Sequence, residues 1–226
     1  MALFFNRRFL YSLLGIALVV GAFTFMVANW LQGQMKGPIW TADTQPVEVV
    51  INSRVFAIPA NLIRFSEQRR NGNAKRVDLA LLWPDGAGYS AENRTAFLNT
   101  TADRLLMFAH LQPSAQAQDM DGRLNSLYRP LFAGTSTQGP AGLQLQRLQE
   151  GRGYEGEELA IGGVADGQSL WVARCQIAKG TTVPTCLRDV NLDGGVSLTY
   201  RFPRALLEHW RGIDALFLKT INGLSR

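Results

Sequence analysis

The sequence predicts an α+β protein: a single N-terminal transmembrane helix, then one strand-rich, mostly antiparallel exported domain that a C-terminal amphipathic helix closes. Three observations predict this fold class. Residues 9–30 are a long apolar run, short segments of alternating apolar and polar residues recur between turn-forming residues, and an apolar stripe at helical spacing ends the chain. The chain therefore divides into a cytoplasmic tail (1–8), the span (9–30), a stem (31–45) and a periplasmic domain (46–226).

The apolar run is 22 residues long and contains no Asp, Glu, Lys, Arg or His. At ~1.5 Å per residue, a helix of this length crosses a hydrocarbon core of ~30 Å. The alternative is a cleavable signal peptide, whose apolar core is usually ~7–15 residues long and ends at a small-x-small cleavage site. The best candidate site, after Ala28, has the bulky Met26 at the minus-three position. We therefore interpret the run as an uncleaved signal-anchor.

Two arginines predict the orientation of this helix. Arg7 and Arg8 directly precede the span, whereas the first basic residue after it is Lys36. Because positive charge stays on the cytoplasmic side, the N-terminus is expected in the cytoplasm. Arginine supplies 19 of the 23 basic residues, as is typical of a GC-rich bacterial genome. We predict a single-pass inner-membrane protein with a periplasmic domain; the alternative is a luminal or intermembrane-space domain of a eukaryotic cell.

The net charge says little about partners. The formal charge is +5 at neutral pH, but Arg7, Arg8 and Lys36 supply three of these charges, so the exported domain is close to neutral. A high pI that rests on a topology signal is a weak argument for nucleic acid, and we predict no nucleic-acid partner.

The exported domain is predicted to begin with strands. Residues 46–59 read as two strands around a turn at Asn52 and Ser53, and residues 60–70 read as a short helix. Residues 76–83 alternate apolar and polar positions, which predicts a half-buried strand.

The middle of the domain mixes both kinds of element. Residues 91–99 read as a helix with Ser90 as its N-cap. The continuous apolar run at residues 104–111 suits a central strand, and residues 122–134 suit a helix that Pro130 breaks.

The last part contains hairpins and the clearest helix. Residues 142–149 and 157–163 predict a hairpin with an acidic tip, and residues 196–202 alternate as a strand does. The closing helix has Pro203 in its first turn and Gly223 beyond its end. Its apolar stripe consists of Leu206, Trp210, Ile213, Phe217 and Ile221.

Cys175 and Cys186, the two cysteines of the chain, are predicted to form a disulfide, because an exported domain folds in an oxidising compartment. Ten residues separate them, whereas redox and zinc motifs space cysteines by two to four. The flanking residues read as a hairpin that places the cysteines opposite each other as a non-hydrogen-bonded pair, with Ile177 opposite Pro184 and a loop at residues 179–182.

Asp189, Asn191 and Asp193 are weak candidates for a calcium site, because they match the opening D-x-N-x-D-G of a calcium loop. Tyr200 stands where the closing bidentate Glu belongs. The same residues suit a hairpin turn at Asp193 and Gly194, which is the interpretation we favour. We predict no metal and no cofactor.

The candidate binding feature is a basic patch within residues 64–76. It could bind anionic lipid headgroups or a cell-wall polymer; the alternative is a solvated loop that faces the acidic residues at 150–158. The patch consists of Arg64, Arg69, Arg70, Lys75 and Arg76, with Glu67 as its single carboxylate.

A catalytic set is not found in the sequence. His110 lies in an apolar run, where a histidine is most often a hydrogen-bonded core residue, and His209 lies on the closing helix. Asp119 and Asp121 form a D-x-D pair that a turn explains equally well. The sequence matches no family motif that we recognise, and we predict no catalytic residues.

These observations favour a non-enzymatic interaction or assembly module of a cell-envelope complex, with an envelope protein as its partner. The alternatives are a membrane-tethered enzyme that acts on glycan or lipid, and a periplasmic sensor or ligand-binding domain.

Overall fold

The computed structural model of the chain describes residues 7–34, 40–101, 103–163, 170–178, 180 and 182–226. It contains two compact units, Met1–Ile39 and Trp40–Arg226. Helix α1 (Arg7–Gln34) is the described part of the first unit. Within the described residues, no helix has both the length and the hydropathy that a membrane span requires, so the structure does not support the predicted span.

The predicted domain boundaries stay predictions. Residues 1–6 of the tail and 35–39 of the stem lie outside the described residues. Arg7 and Arg8, the predicted topology signal, begin helix α1, but its orientation is not tested.

The second unit begins with a small sheet. Strands β1 (Pro46–Ile51) and β2 (Arg54–Pro59) form the predicted antiparallel hairpin. Asn52 adopts a left-handed backbone in its turn (φ 54°), which asparagine tolerates better than most residues. The short strand β3 (Gly72–Asn73) pairs with β1 in parallel.

The residues after β2 form two 3-10 turns, Ala60–Leu62 and Ser66–Gln68, so the predicted helix at residues 60–70 is wrong. Between the turns, Ile63 pairs with Leu79 across the edge of the neighbouring sheet. This pairing holds the segment extended and prevents a continuous helix.

The large sheet is antiparallel throughout and, within the described residues, has the order β4-β5-β11-β10-β9-β8-β7-β6. Its strands are β4 (Val77–Leu82), β5 (Leu106–Pro113), β6 (Thr137–Gln138), β7 (Gln144–Arg147), β8 (Glu157–Gly163), β9 (Leu170–Gln176), β10 (Thr185–Leu192) and β11 (Val196–Pro203). The predicted central position of the run at 104–111 is confirmed, because β5 lies between β4 and β11.

The helices of this unit are short except for the last one. Helix α2 (Arg94–Leu98) is shorter than the predicted helix, and Asn93 at its N-cap position makes no side-chain capping hydrogen bond. Ser90, the predicted cap, accepts a hydrogen bond from the Asn93 N–H three residues later. A π-helical turn (Leu124–Tyr128) runs into a 3-10 turn (Arg129–Leu131), which agrees with the predicted broken helix.

Helix α3 (Trp210–Leu224) follows a 3-10 segment (Arg204–His209) and closes the domain, as predicted. It packs with the small sheet on one face of the large sheet, which we call the inner face. All members of the predicted stripe are buried. Gly162 of β8 lets Trp210 approach closely, since a Cβ there would lie 2.8 Å from the indole ring. The α+β class with a large antiparallel sheet and a C-terminal helix is therefore confirmed.

The opposite, outer face of the large sheet is covered at its two ends. At one end Phe97 of α2 packs on Ala80, Leu82 and Leu106. This cover buries both faces of β4, so the predicted half-buried strand is wrong. At the other end Met120 and the π-helical turn cover β8 and β9.

Between β9 and β10 the sheet splits. The ladder contains two residue pairs, Cys175 with Cys186 and Arg174 with Leu187. Beyond them, Asp121 Oδ1 accepts a hydrogen bond from the N–H of Val172 on β9 (2.9 Å).

The D-x-D segment fills this split on the β10 side as well. Asp119 Oδ2 accepts from the N–H of Asn191 (3.3 Å). The side chains of Asp119 and Asp121 thus serve as acceptors for the backbones of two separated strands, so the D-x-D pair has a structural role.

Arg188 of β10 also binds the D-x-D segment and connects it to helix α3. Its Nη2 donates to Asp121 Oδ2 (2.8 Å), and its Nε donates to Asp214 Oδ1 on α3 (3.2 Å). Tyr200 donates its hydroxyl to the same Asp214 oxygen (2.6 Å). Arg188 is only 5% exposed, so its charge is removed from water and depends on these two carboxylates.

Candidate functional site

The middle of the outer face carries a concave cavity of about 700 Å³, which we call the cationic groove. Its floor belongs to β5, β10 and β11, and its walls are the link from β2 to β4, the residues before β5 and those before β10. Its charged, polar and large apolar lining residues are Arg64, Arg76, Asp78, Thr100, Arg104, Phe108, His110, Gln176, Thr182, Val183, Thr185, Leu187, Thr199, Tyr200 and Arg201.

Strand alternation places the floor residues. On β11 the inward positions are apolar or aromatic, and the alternate positions carry Thr199 and Arg201. Two rows cross the floor: Asp78, His110 and Thr199 are direct neighbours, and so are Phe108, Arg201 and Leu187.

One acidic side chain, Asp78, lines the groove, and it is already neutralised. Arg76 Nε donates to Asp78 Oδ2 (2.9 Å), and Gln68 Nε2 donates to the same oxygen (2.9 Å). Burial alone would raise the pKa of Asp78, but the hydrogen bonds from Arg76 and Gln68 and the Arg76 charge lower it below its usual value. Asp78 is therefore an anion at neutral pH and compensates Arg76.

Arg64 is held by aromatic rings. Its guanidinium carbon lies 4.4 Å from the ring centre of Phe108 and 4.9 Å from that of Phe65. Burial, together with the nearby positive charge of Arg76, lowers its pKa, although Asp78 opposes that effect. A cation fixed on aromatic faces keeps its N–H donors available for an anion.

Arg104 and Arg201 add two further charges. Within the described residues, the buried Nε atoms of Arg64 and Arg104 have no hydrogen-bond partner. Arg201 is exposed, and the described residues give its guanidinium no ion pair. Since Asp78 compensates Arg76, Arg64, Arg104 and Arg201 leave the groove with a positive charge of about three.

His110 lies half-buried on the groove floor, which corrects the expectation of a hydrogen-bonded core residue. Burial lowers its pKa, the charges of Arg76 and Arg201 lower it further, and Asp78 opposes them. His110 is therefore neutral near pH 7 and can either donate or accept a hydrogen bond there.

The structure divides the predicted basic patch. Arg64 and Arg76 line the groove, whereas Arg69 donates through Nη2 to the carbonyl of Ile63 (2.9 Å) and holds the chain after β2. Arg70 and Lys75 are exposed and lie outside the groove lining.

Two of the acidic residues proposed to face this patch have other partners. Glu157 pairs with Arg174 (2.7 Å), and Glu158 pairs with Arg204. Arg104, Arg201 and His110 were missed as groove residues by the sequence analysis.

The predicted disulfide is confirmed, with a sulfur–sulfur distance of 2.01 Å. Cys175 and Cys186 are directly opposite each other, as predicted, and their Cα atoms are 4.0 Å apart, which fits the closer, non-hydrogen-bonded class. The Ile177 N–H donates to Gly156 and the Pro184 carbonyl accepts from Arg204, so neither is directed at the other.

The residues just beyond the disulfide reach the groove. Thr185 donates its N–H and its hydroxyl to Gln176 Oε1 (3.2 Å each), so a side chain replaces the ladder there. Lys179 and Thr181 of the predicted loop lie outside the described residues. The disulfide thus anchors the wall that Thr182 and Val183 form.

The calcium-like residues have protein partners. Asp189 pairs with Arg123 (2.7 Å), Asn191 accepts from the Ser114 hydroxyl (2.9 Å), and Asp193 is exposed in the turn between β10 and β11. Among the described residues, no cluster of three or more His, Cys, Asp or Glu side chains is arranged to hold a metal ion.

The comparisons with known proteins give information about the fold and not about the function. No protein-family model matches the sequence, and no curated protein is significantly similar to it. The structure of Smlt3025, an immunity protein of the Stenotrophomonas maltophilia type IV secretion system, is similar over 81% of this chain and 94% of that chain, with a TM-score of 0.56 and 16% identity. The Neisseria meningitidis iron-regulated outer membrane lipoprotein FrpD aligns over 83% of this chain and 97% of that chain, with a TM-score of 0.37 and 10% identity. The chain therefore resembles the immunity protein in fold.

Proposed function

We propose that the exported domain is a non-enzymatic interaction module of a cell-envelope complex, and that the cationic groove is its docking face. The observation that carries this proposal is the accumulation of three uncompensated arginines, Arg64, Arg104 and Arg201, on the open middle of a rigid sheet. A desolvated cation is costly unless an anion accompanies it. A partner that supplies the anion therefore gains affinity from charges that the fold leaves unpaired.

The class of partner that we propose is a protein. One solved structure with a similar fold is described as an immunity protein of a type IV secretion system. A groove with charged, polar and aromatic side chains suits a protein surface, since arginine and aromatic residues are enriched in protein interfaces.

The location that we propose is the periplasmic side of a bacterial inner membrane, with residues 9–30 as a signal-anchor. The supports are the apolar run itself, the positive charge of Arg7 and Arg8 before it, and the disulfide, which suits an oxidising compartment. Described side chains of α1, such as Leu18 and Phe23, are exposed and apolar, which suits a helix surrounded by lipid.

A reporter enzyme that is active only outside the cytoplasm tests this location. Fused after residue 226, it should be active, and replacing Arg7 and Arg8 by Glu should reduce that activity. Recovery of the protein cleaved near Ala28 would contradict the signal-anchor.

A second candidate function is a sensor for a small anionic ligand. It is favoured by the volume of the groove, about 700 Å³, which falls within the range of small-molecule sites.

Photo-crosslinking in intact cells tests the docking face. A photoreactive residue at Thr199, on the groove floor, should give an adduct with one envelope protein, and the same residue at Lys219, exposed on α3, should not. Adding Arg201→Gln should weaken the Thr199 adduct. Equal adducts from both positions, or none from Thr199, would overturn the proposal.

A further inference from the structure

We infer that the occupant of the cationic groove is an extended, acidic segment of a partner protein, with its carboxylates at the end near Arg64, Arg104 and Arg201. This inference rests on the proposed function and names the chemistry of the partner. It combines the charge at one end of the groove with the shape of the cavity beyond it.

The charged end is a cluster built around one aromatic ring. Arg201 lies directly opposite Phe108 in the ladder, and Arg64 stacks over the same ring at 4.4 Å. Arg104 belongs to the same lining, and its buried Nε has no hydrogen-bond partner among the described residues. Planar guanidinium groups bind carboxylates through two parallel hydrogen bonds, so this end is suited to Asp or Glu side chains.

The groove does not end at this cluster. A second cavity of about 200 Å³ continues along the sheet and shares Leu187 and Thr199 with the groove. Gln112, Ser114 and Asn191 line it with amides and a hydroxyl, and its one arginine, Arg123, is paired with Asp189 at 2.7 Å.

The two cavities therefore form one trough with a cationic end and a neutral polar end. Amides and hydroxyls suit the N–H and C=O groups of a polypeptide backbone. A small anion would occupy the cationic end alone and would leave the neutral end unused. A lipid surface would meet a concave face, which a flat membrane cannot enter.

Fluorescence anisotropy with the full-length chain in neutral detergent tests the inference. The probe is a labelled peptide that begins with a run of Glu and ends with Ser and Gly. The comparison peptide has Gln in place of Glu. The Glu peptide should bind at least about tenfold more tightly than the Gln peptide, because charge-assisted hydrogen bonds to arginine are worth more than neutral ones.

Two double variants with the same change in net charge locate the binding. Arg104→Gln with Arg201→Gln removes two groove charges, whereas Arg70→Gln with Lys75→Gln removes two exposed charges outside the groove. The groove variant should weaken binding of the Glu peptide at least about tenfold, and the control variant less than about twofold. Matching circular dichroism spectra and unfolding midpoints verify that both variants fold.

Each other outcome overturns the inference. Equal losses in the two double variants would show a diffuse charge effect instead of groove binding. Inorganic phosphate that competes with the peptide at equal concentration would show a small-anion site, and preferential binding to phosphatidylglycerol vesicles would show a lipid site.

The result is separable from the proposed function. A Thr199 adduct that forms although the Glu peptide fails to bind would leave the docking face standing and remove its acidic occupant. Peptide binding without any Thr199 adduct would show that the groove binds acidic peptides and would remove its role as the docking face in cells.

Discussion

The two faces of the large sheet treat arginine in opposite ways. On the inner face, Arg188 of β10 is buried and bound by two carboxylates, Asp121 and Asp214. On the outer face, Arg201 of the neighbouring strand β11 is exposed and has no ion pair among the described residues. The fold thus compensates its buried charge with its own carboxylates and leaves the exposed charge without one, and under the proposed function a partner supplies the anion there.

On the inner face, the pKa values of Arg188 and Tyr200 reflect the carboxylates around them. Burial alone would lower the pKa of Arg188, but the hydrogen bonds that its guanidinium donates to Asp121 and the negative charges around it raise that pKa above its usual value. Burial also raises the pKa of Tyr200, and Asp214 raises it further, so its hydroxyl stays protonated and donates to Asp214. This network connects β10, β11, α3 and the D-x-D segment at Asp121.

The largest expected effect tests this contrast directly. Arg188→Ala leaves Asp121 and Asp214 as partly buried carboxylates without an ion pair and should lower the free energy of unfolding by about 3–5 kcal/mol. Arg201→Ala should change it by less than about 0.5 kcal/mol, because that side chain is exposed. Urea unfolding measures both. Similar losses in the two variants would break the distinction between the faces.

The next effect concerns the disulfide that joins β9 to β10, whose ladder contains only two residue pairs. Replacing Cys175 and Cys186 by Ser should lower the free energy of unfolding by about 2–4 kcal/mol, because the unfolded chain without the cross-link has more conformational entropy. Unfolding of the oxidised and variant proteins, compared in urea, measures this loss.

The wall of the groove should respond as well. Thr182 and Val183 lie within the loop that the disulfide closes, so the double Ser variant should bind the Glu peptide more weakly while its sheet stays intact. If the double Ser variant were as stable as the oxidised protein, the join between β9 and β10 would not depend on the disulfide.

The disulfide also illustrates what the sequence could predict. Its register followed from local facts: both cysteines must be opposite each other, and Pro184 has no N–H to donate. The hairpins, the broken helix before Leu131 and the stripe of α3 followed from local periodicity in the same way.

The groove depended on facts that are not local. Arg64, Arg104 and Arg201 are far apart in sequence and meet only because β5 pairs with β4 and β11. The available signal was the polar alternate positions of β5 and β11, such as His110 and Thr199. What the sequence could not tell is which face of the sheet stays uncovered, and so neighbouring residues such as Arg69 and Arg70 were grouped with Arg64 by proximity alone.

A smaller effect concerns Asp78, the compensated charge of the outer face. Asp78→Asn should lower the free energy of unfolding by about 1–2 kcal/mol, since the hydrogen bonds from Arg76 lose their charge. It should also strengthen binding of the Glu peptide, because Arg76 becomes available. Weaker peptide binding would show that Asp78 positions the groove cations instead of competing for them.

The pH dependence of Asp78→Asn has a defined sign. The folded-state pKa of Asp78 is lowered, so its stabilising contribution is present above its unfolded pKa of about 3.9 and is lost as pH falls through the folded value. Burial raises the pKa of Asp121, which lies in the split between β9 and β10, in spite of the hydrogen bonds from Arg188, so its contribution has the opposite sign. Asp78→Asn should therefore flatten the loss of stability below about pH 4.

The smallest expected effect is on the proton of His110. Arg201 is among the charges that lower the pKa of His110, after burial and Arg76, so Arg201→Gln should raise that pKa with little change in stability. The folded pKa lies below the unfolded value of about 6.5, so the contribution of neutral His110 to stability is present above that value and is lost as pH falls through the folded pKa. Titration of the imidazole by NMR measures the shift, and Arg70→Gln serves as the matched control, since Arg70 is exposed outside the groove lining.

An unchanged pKa of His110 in Arg201→Gln would show that Arg201 is screened by water. A screened Arg201 would count as an exposed charge like Arg70, and the cationic end of the groove would then depend on Arg64 and Arg104.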